Sequence, residues 1–178
     1  MCNLENKAVP IIDVYWKGPI ALNELKKLEE PEVQVLYQIY GHHPVYGPES
    51  LLYIGKTEQL NGVKDRLPEH KWIDSQCDEC KIYYASCAEF IDWQTWENSG
   101  DEYPKYDSLE NGITINDIES LLIYAHHPSG NSQSIQTLGI DVKRHFRVFN
   151  TGKRKALERE LSTQYFNAVN YINNSKTQ

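Results

Sequence analysis

The chain has 178 residues, of which 40% are apolar and 24% charged, and its net charge is −7. That is enough length for one domain with a substantial core, the composition is that of a soluble globular protein, and the acidic balance argues against indiscriminate coating of nucleic acid. No run approaches the roughly 18 apolar residues of a membrane span, and the opening MCNLENKAVPII lacks the order of a secretory leader, so a cytoplasmic location is expected.

In chain order, IIDVYW from Ile11 reads as a strand ended by Gly18-Pro19. Residues 20–30 then read as a short helix, with Ile20, Leu22, Leu25 and Leu28 near helical spacing and Pro31 beyond its end. VQVLYQIYG (33–41) is rich in strand formers, HHPVYGPES (42–50) is a turn-rich connector, and LLYIG (51–55) follows as a second strand. The pair predicts an antiparallel hairpin with a long loop. Residues 57–73 predict a helix interrupted by Pro68, and CKIYYASC (80–87) a further strand. The acidic, aromatic stretch 92–111 reads as a long surface loop. TINDIESLLIYAHH (114–127) predicts a strong helix, capped by Thr114 or Asn116, with Ile118, Leu121, Leu122 and Ala125 as its apolar stripe. HFRVFN (145–150) is a strand candidate, and 155–172 a closing helix carrying Leu157, Leu161, Tyr165 and Ala168. The expected architecture is α/β (α+β), a small central antiparallel sheet flanked by helices in a single domain, 1–178.

Charge is distributed unevenly. Residues 1–140 hold ten Lys and Arg against 22 Asp and Glu, whereas 141–160 hold seven against three. Lys143, Arg144, Arg147, Lys153, Arg154 and Lys155 are therefore candidates to meet an anionic partner. The four cysteines are too few and too uneven for a disulfide framework, and Cys77-x-x-Cys80 has no second pair to complete a zinc site. The pairs His42-His43 and His126-His127 read as solvated. Gly55-Lys56-Thr57 suggests a phosphate loop, but the earlier glycine that such a loop needs is Ser50 here.

A different constellation takes up the same residues. Tyr37 lies in the first strand of the hairpin, and Tyr53, Gly55 and Lys56 in or after the second; Arg66 and His70 stand four apart, Glu119 sits one turn into the strong helix, and Asn131 follows it. In this order the set resembles the GIY-YIG nuclease superfamily. VLYQI (35–39) stands where that family has its GIY element, with Val35 for the first glycine, and YIGKT (53–57) matches the YIG element. Arg66 and His70 fit the R-x-x-x-H element, and Glu119 and Asn131 the terminal carboxylate and amide. Departures are the long GIY-to-YIG connector, Pro68 between Arg66 and His70, and the insert at 88–111.

The resemblance implies an endonuclease that hydrolyses phosphodiester bonds in DNA, with Mg2+ (or Mn2+) on Glu119 as sole protein ligand. One carboxylate suffices, because magnesium keeps several of its waters. Arg66 offers a planar fork to phosphate oxygens, Lys56 a point charge beside a phosphate or phenolate, and Gly55 a close approach of the phosphate to the backbone. Tyr37 is expected to activate the attacking water, with His70 accepting or relaying the proton, and Tyr53 and Asn131 to position. A catalytically weak nucleic-acid-binding module on the same fold, and an RNA-directed nuclease, are the alternatives. Both monomer and homodimer remain open.

Overall fold

The computed structural model describes residues 9–27, 35–59, 62–75, 80–90, 92–98, 109, 112–141 and 144–166. Six strands form one sheet: β1 (Ile11–Ala21), β2 (Val35–His43), β3 (Gly47–Thr57), β4 (Lys81–Glu89), β5 (Arg147–Gly152) and β6 (Glu160–Ser162), in the order β3-β2-β4-β1-β5-β6. Among the described residues, helices α1 (Val63–Arg66), α2 (Trp93–Asn98) and α3 (Ile115–His126) accompany them, and 163–166 are helical. The chain is thus α+β with few helices. The sheet is mixed rather than antiparallel, because β5 pairs with β1 in parallel after the chain has crossed over by way of α3.

The two faces of the sheet divide the core. Ile12, Val14 and Trp16 of β1, Leu36 and Tyr40 of β2, Ile54 of β3 and Val148 of β5 lie against Ile118, Leu121 and Leu122 of α3. The opposite face carries Val35, Tyr37 and Ile39 against Val63, Leu67 and Ile73 of the segment after β3. This alternation along β2 is the period of two that a strand imposes. Thr114 caps α3 as a reciprocal box with Asp117, whose main-chain N–H donates to Thr114 Oγ1 at 3.2 Å while its carboxylate accepts from Thr114 N–H at 2.9 Å.

Several expectations from the sequence change here. The hairpin connector shrinks to the turn 44–46, because His43 Nδ1 accepts the main-chain N–H groups of Val45 and Tyr46, at 3.2 Å each, and Gly47 takes the left-handed region at φ 84. Strand β1 continues past Gly18-Pro19 with a register shift between Lys17 and Ile20, and a 3-10 helix Leu22–Lys27 replaces the α-helix read from residue 20. The helix read over 57–73 breaks into α1 and the 3-10 turns Leu67–Glu69 and Lys71–Ser75. Pro68, which has no N–H to donate, stands at the start of the first of these. Within the stretch read as a loop, α2 forms over 93–98.

The closing helix read over 155–172 begins as turn and strand. Lys155 has φ 57, and Leu161 of β6 pairs with Val148, so burial of Leu157 and Leu161 on the sheet overrides their helical spacing. Residues 167–172 of that reading, and 28–30 of the first helix, lie outside the described residues. No helix among the described residues is long and apolar enough to cross a membrane.

Candidate active site

The hairpin places the two tyrosines. Tyr37 lies directly across from Gly55 in the β2–β3 register, and Tyr53 across from Ile39, all on the sheet face away from α3. Tyr37 is buried and packs its ring over Gly55: a Cβ there would stand 2.5 Å from Tyr37 Cζ and Oη and 2.7 Å from Tyr53 Cε1. The glycine expected to admit a phosphate therefore admits the phenol of Tyr37 instead. The two rings stack with centroids 6.0 Å apart, and Tyr53 is half-buried at the outer side of the pair.

Arg66 and His70 reach these tyrosines from the segment after β3. Because the helix breaks at Leu67, they do not share one continuous helical face, yet both converge on Tyr37. Tyr37 Oη is 2.7 Å from His70 Nε2, and the Arg66 charge acts on both Tyr37 and Tyr53. With Nε2 of His70 unprotonated, Tyr37 donates its proton to it. Arg66 also pairs with Glu69.

Glu119, Lys56 and Asn131 meet at the open edge of the sheet, which β3 forms. An edge strand leaves outward main-chain groups without sheet partners. Here Gly130 N–H donates to Leu52 O at 2.7 Å, and Asn131 both accepts from Ile54 N–H at 3.0 Å and donates to Ile54 O at 2.8 Å. The Lys56 main-chain N–H and ammonium both act on the Glu119 carboxylate. Two alternate residues of β3, Leu52 and Ile54, are thus satisfied by the turn after α3, while Glu119 of α3 lies within reach of the Lys56 charge further along the strand. Lys56 points its ammonium to Glu58, 2.7 Å away, and its charge acts on Glu119, so it serves the carboxylates rather than the tyrosines.

Burial dominates the electrostatics. It raises the Glu119 carboxyl above its ordinary range, although the Lys56 charge and main-chain N–H and the Arg66 charge act against it. Burial also holds the Tyr37 phenol far above 10, with the Tyr53 charge adding to the shift and Arg66 opposing it. Tyr53 is raised by burial and by Glu119. His70 is lowered by burial and by the Arg66 charge, which keeps it neutral and able to accept a proton at pH 7.

Among the described residues no group of three or more His, Cys, Asp or Glu is placed to hold a metal ion. The donor chemistry still fits a hard divalent ion. Glu119 is a partly buried carboxylate whose neighbouring cations do not fully offset its burial, with the Glu58 charge also acting on it, and magnesium takes one or two protein carboxylates and keeps the rest of its shell as water.

Two further residues belong to this cluster and were not singled out from the sequence. The Trp72 ring centroid lies 6.1 Å from that of His70 and 6.2 Å from that of Tyr53; an aromatic two positions after His70 was its only signal. Gly130 touches the main chain of β3, and a Cβ there would stand 2.8 Å from Leu52 O; it directly precedes Asn131.

The basic segment turns back on the fold. Arg144 pairs with Asp117 at 3.0 Å, Arg147 with Glu160, and Lys155 with Glu49 at 3.6 Å while lying over the rings of Tyr40 and Tyr83; Arg154 donates to the Leu157 carbonyl. Lys153 is exposed, and Lys143 lies outside the described residues. His126, read as solvated, is half-buried and bonded on both ring nitrogens, to Leu122 O at 2.8 Å and to Glu158 N–H at 2.9 Å. Cys80 and Cys87 are buried free thiols; Cys77 lies outside the described residues. No family model matches the chain, and no curated protein or solved structure matches it.

Proposed function

We propose that the chain is a metal-dependent endonuclease that hydrolyses phosphodiester bonds in DNA by a GIY-YIG-type mechanism. The observation that carries this reading is the convergence of Tyr37, Tyr53, Arg66, His70 and Glu119, drawn from β2, β3, the segment after β3 and α3, on one side of one strand edge. Core packing alone gives no reason for a carboxylate, a guanidinium, an imidazole and two phenols to share that space, since each polar group withdrawn from water is costly unless it is paired.

In this mechanism Arg66 binds the scissile phosphate with its planar fork, while its pairing with Glu69 holds it in orientation. The attacking water, entering past half-buried Tyr53, gives its proton to the Tyr37 oxygen as the Tyr37 proton moves to His70. Such a relay never requires a free phenolate, which burial of Tyr37 makes unfavourable, and it leaves the charge on imidazolium. Glu119 would hold a magnesium or manganese ion, with the Lys56 main-chain N–H and ammonium acting on its carboxylate. When bound, that ion supplies Lewis-acid neutralisation of charge on the phosphate. Asn131 and Gly130 keep β3 in register with α3, and so keep Tyr53 in register with Glu119.

The test is a plasmid nicking assay with Mg2+, comparing wild type with Glu119→Ala. Nicking by wild type and its fall by about 10²-fold or more in the variant are expected. Nicking that persists in Glu119→Ala removes the metal-ligand assignment, and failure of wild type on both DNA and RNA leaves a binding module on this fold.

A further inference from the structure

Arg66 stands at the break in a helix. Helix α1 is four residues long and ends at Arg66 itself, and so short a helix is marginal without outside contacts. Pro68 then opens the 3-10 turn Leu67–Glu69, which His70 N–H closes by donating to Leu67 O at 3.0 Å. Side chains three apart eclipse in a 3-10 turn, so Glu69 comes into line with Arg66 and pairs with it. The proline that interrupts the Arg66–His70 motif thus builds a contact into it.

The carboxylate has a second partner. Gln59 Nε2 donates to Glu69 Oε1 at 3.2 Å, while Arg66 takes Oε2. Gln59 is itself fixed to the end of β3. Its N–H donates to Thr57 Oγ1 at 3.1 Å, its carbonyl accepts Gly62 N–H at 2.9 Å, and the buried Thr57 hydroxyl donates to Gly62 O at 3.4 Å. A carboxylate only accepts, so the amide can turn only its nitrogen toward Glu69. Its oxygen is then buried, with no partner among the described residues. An unpaired buried acceptor is costly, so local stability does not explain this orientation, whereas the contact with Glu69 does. The Gln59 amide first, and Arg66 next, hold the Glu69 carboxyl below its usual range, which keeps it charged at pH 7.

We infer that Gln59 is a positioning residue: through Glu69 it ties the Arg66 guanidinium to the end of β3, the strand that carries Tyr53. That Arg66 then meets a scissile phosphate rests on the endonuclease reading. Arg66 and Glu69 are both partly exposed, and exposed ion pairs contribute little to stability. What the tether supplies is orientation. A guanidinium carries its N–H donors in one plane, so holding one edge on Glu69 aims the rest. That aim matters, because a misplacement of about 1 Å can cost on the order of 10²-fold in rate. Asn131 ties the turn after α3 to β3 at Ile54. Gln59 does the same for the Arg66 segment, so one strand is the common reference for both.

The experiment compares wild type with Gln59→Met, Glu69→Ala and the double variant, each checked for an unchanged thermal melt. Methionine keeps the unbranched length of glutamine and cannot donate. In the first arm, without nucleic acid, heteronuclear NMR measures rotation of the Arg66 guanidinium about Nε–Cζ, its signal assigned by its loss in Arg66→Lys. Rotation is expected to quicken by about threefold to tenfold in Gln59→Met and at least as much in Glu69→Ala. In the second arm, single-turnover plasmid nicking with Mg2+ separates the maximal rate from the half-saturating protein concentration. The maximal rate is expected to fall by about threefold to tenfold in Gln59→Met and by about tenfold to a hundredfold in Glu69→Ala, with half-saturation unchanged. The double variant should match Glu69→Ala, because Gln59 acts through Glu69. Guanidinium rotation unchanged in Gln59→Met overturns the tether whether or not the protein cuts. So do losses that multiply in the double variant, which would make Gln59 independent of Glu69. A lower half-saturating concentration at unchanged rate in Glu69→Ala overturns it too, since Glu69 would then compete with the phosphate for Arg66. Rotation that quickens in all three variants of a protein that cuts neither DNA nor RNA supports the tether and refutes the endonuclease reading.

Discussion

Two regions carry most of the chain's notable polar chemistry, and they use it in opposite ways. At the edge of β3, groups from β2, β3, the segment after β3 and α3 point at one another across the space between segments. In 141–160, the cations point back at their own surroundings: Arg144 completes the cap of α3, Arg147 clips β5 to β6, and Arg154 and Lys155 secure the turn between them. A run of like charges in sequence therefore says little about a ligand, because four of these cations, Arg144, Arg147, Arg154 and Lys155, find an acid or carbonyl of the fold itself. Residues far apart in sequence that arrive at one place are more informative, since local structure alone does not bring them together.

The largest effect expected to separate the regions is on turnover. His70→Ala removes the proton acceptor of Tyr37, and nicking should fall by about 10²–10⁴-fold with the far-ultraviolet circular dichroism unchanged; near-normal nicking would reduce His70 to a packing residue. Gly55→Ala comes next. Its methyl group meets the Tyr37 ring at 2.5 Å, and overpacking of this kind costs about 1–3 kcal/mol, read as a lower urea midpoint together with lost activity. An unshifted midpoint would show that the tyrosine is free to move aside.

His126 provides a smaller test, in the second region. Its neutral form donates from Nδ1 to Leu122 O and accepts Glu158 N–H at Nε2, and burial lowers its pKa below the ordinary value of about 6.5. A lowered folded-state pKa means that the unfolded chain binds the proton more readily. The contribution is thus present above pH 6.5 and is lost as pH falls through the folded value. Between pH 7.5 and pH 5 the urea midpoint of wild type should fall more than that of His126→Gln, by an amount corresponding to about 1 kcal/mol; equal falls would place the acid sensitivity elsewhere.

The smallest effect concerns the basic segment itself. Lys153→Glu with Arg154→Glu is expected to change DNA binding at low salt by less than about twofold, since Arg154 is committed to the Leu157 carbonyl within its own turn. A tenfold loss would restore the segment as a nucleic-acid surface and erase the contrast between the two regions.

What could be read from the chain followed from how local each feature is. Strands β2, β3 and β4 and helix α3 were legible because β-branched and aromatic runs, and a capped apolar stripe of twelve residues, specify their structure within a single turn or pleat. Residues 57–73 and 155–162 were misread for one reason. Their helical spacing is real, but Pro68 in the first and burial of Leu157 and Leu161 against β5 in the second override a weak local preference.

The same division runs through the candidate site. The sequence by itself determined the identities and order of Tyr37, Tyr53, Gly55, Arg66, His70, Glu119 and Asn131. Only the tertiary structure decided that Gly55 makes room for a phenol, that Lys56 faces carboxylates, and that Asn131 satisfies the open edge of β3. A side chain's chemistry travels with its residue. Its neighbours, and hence its pKa, its partners and the face on which it acts, depend on segments that the chain brings together only when the sheet closes.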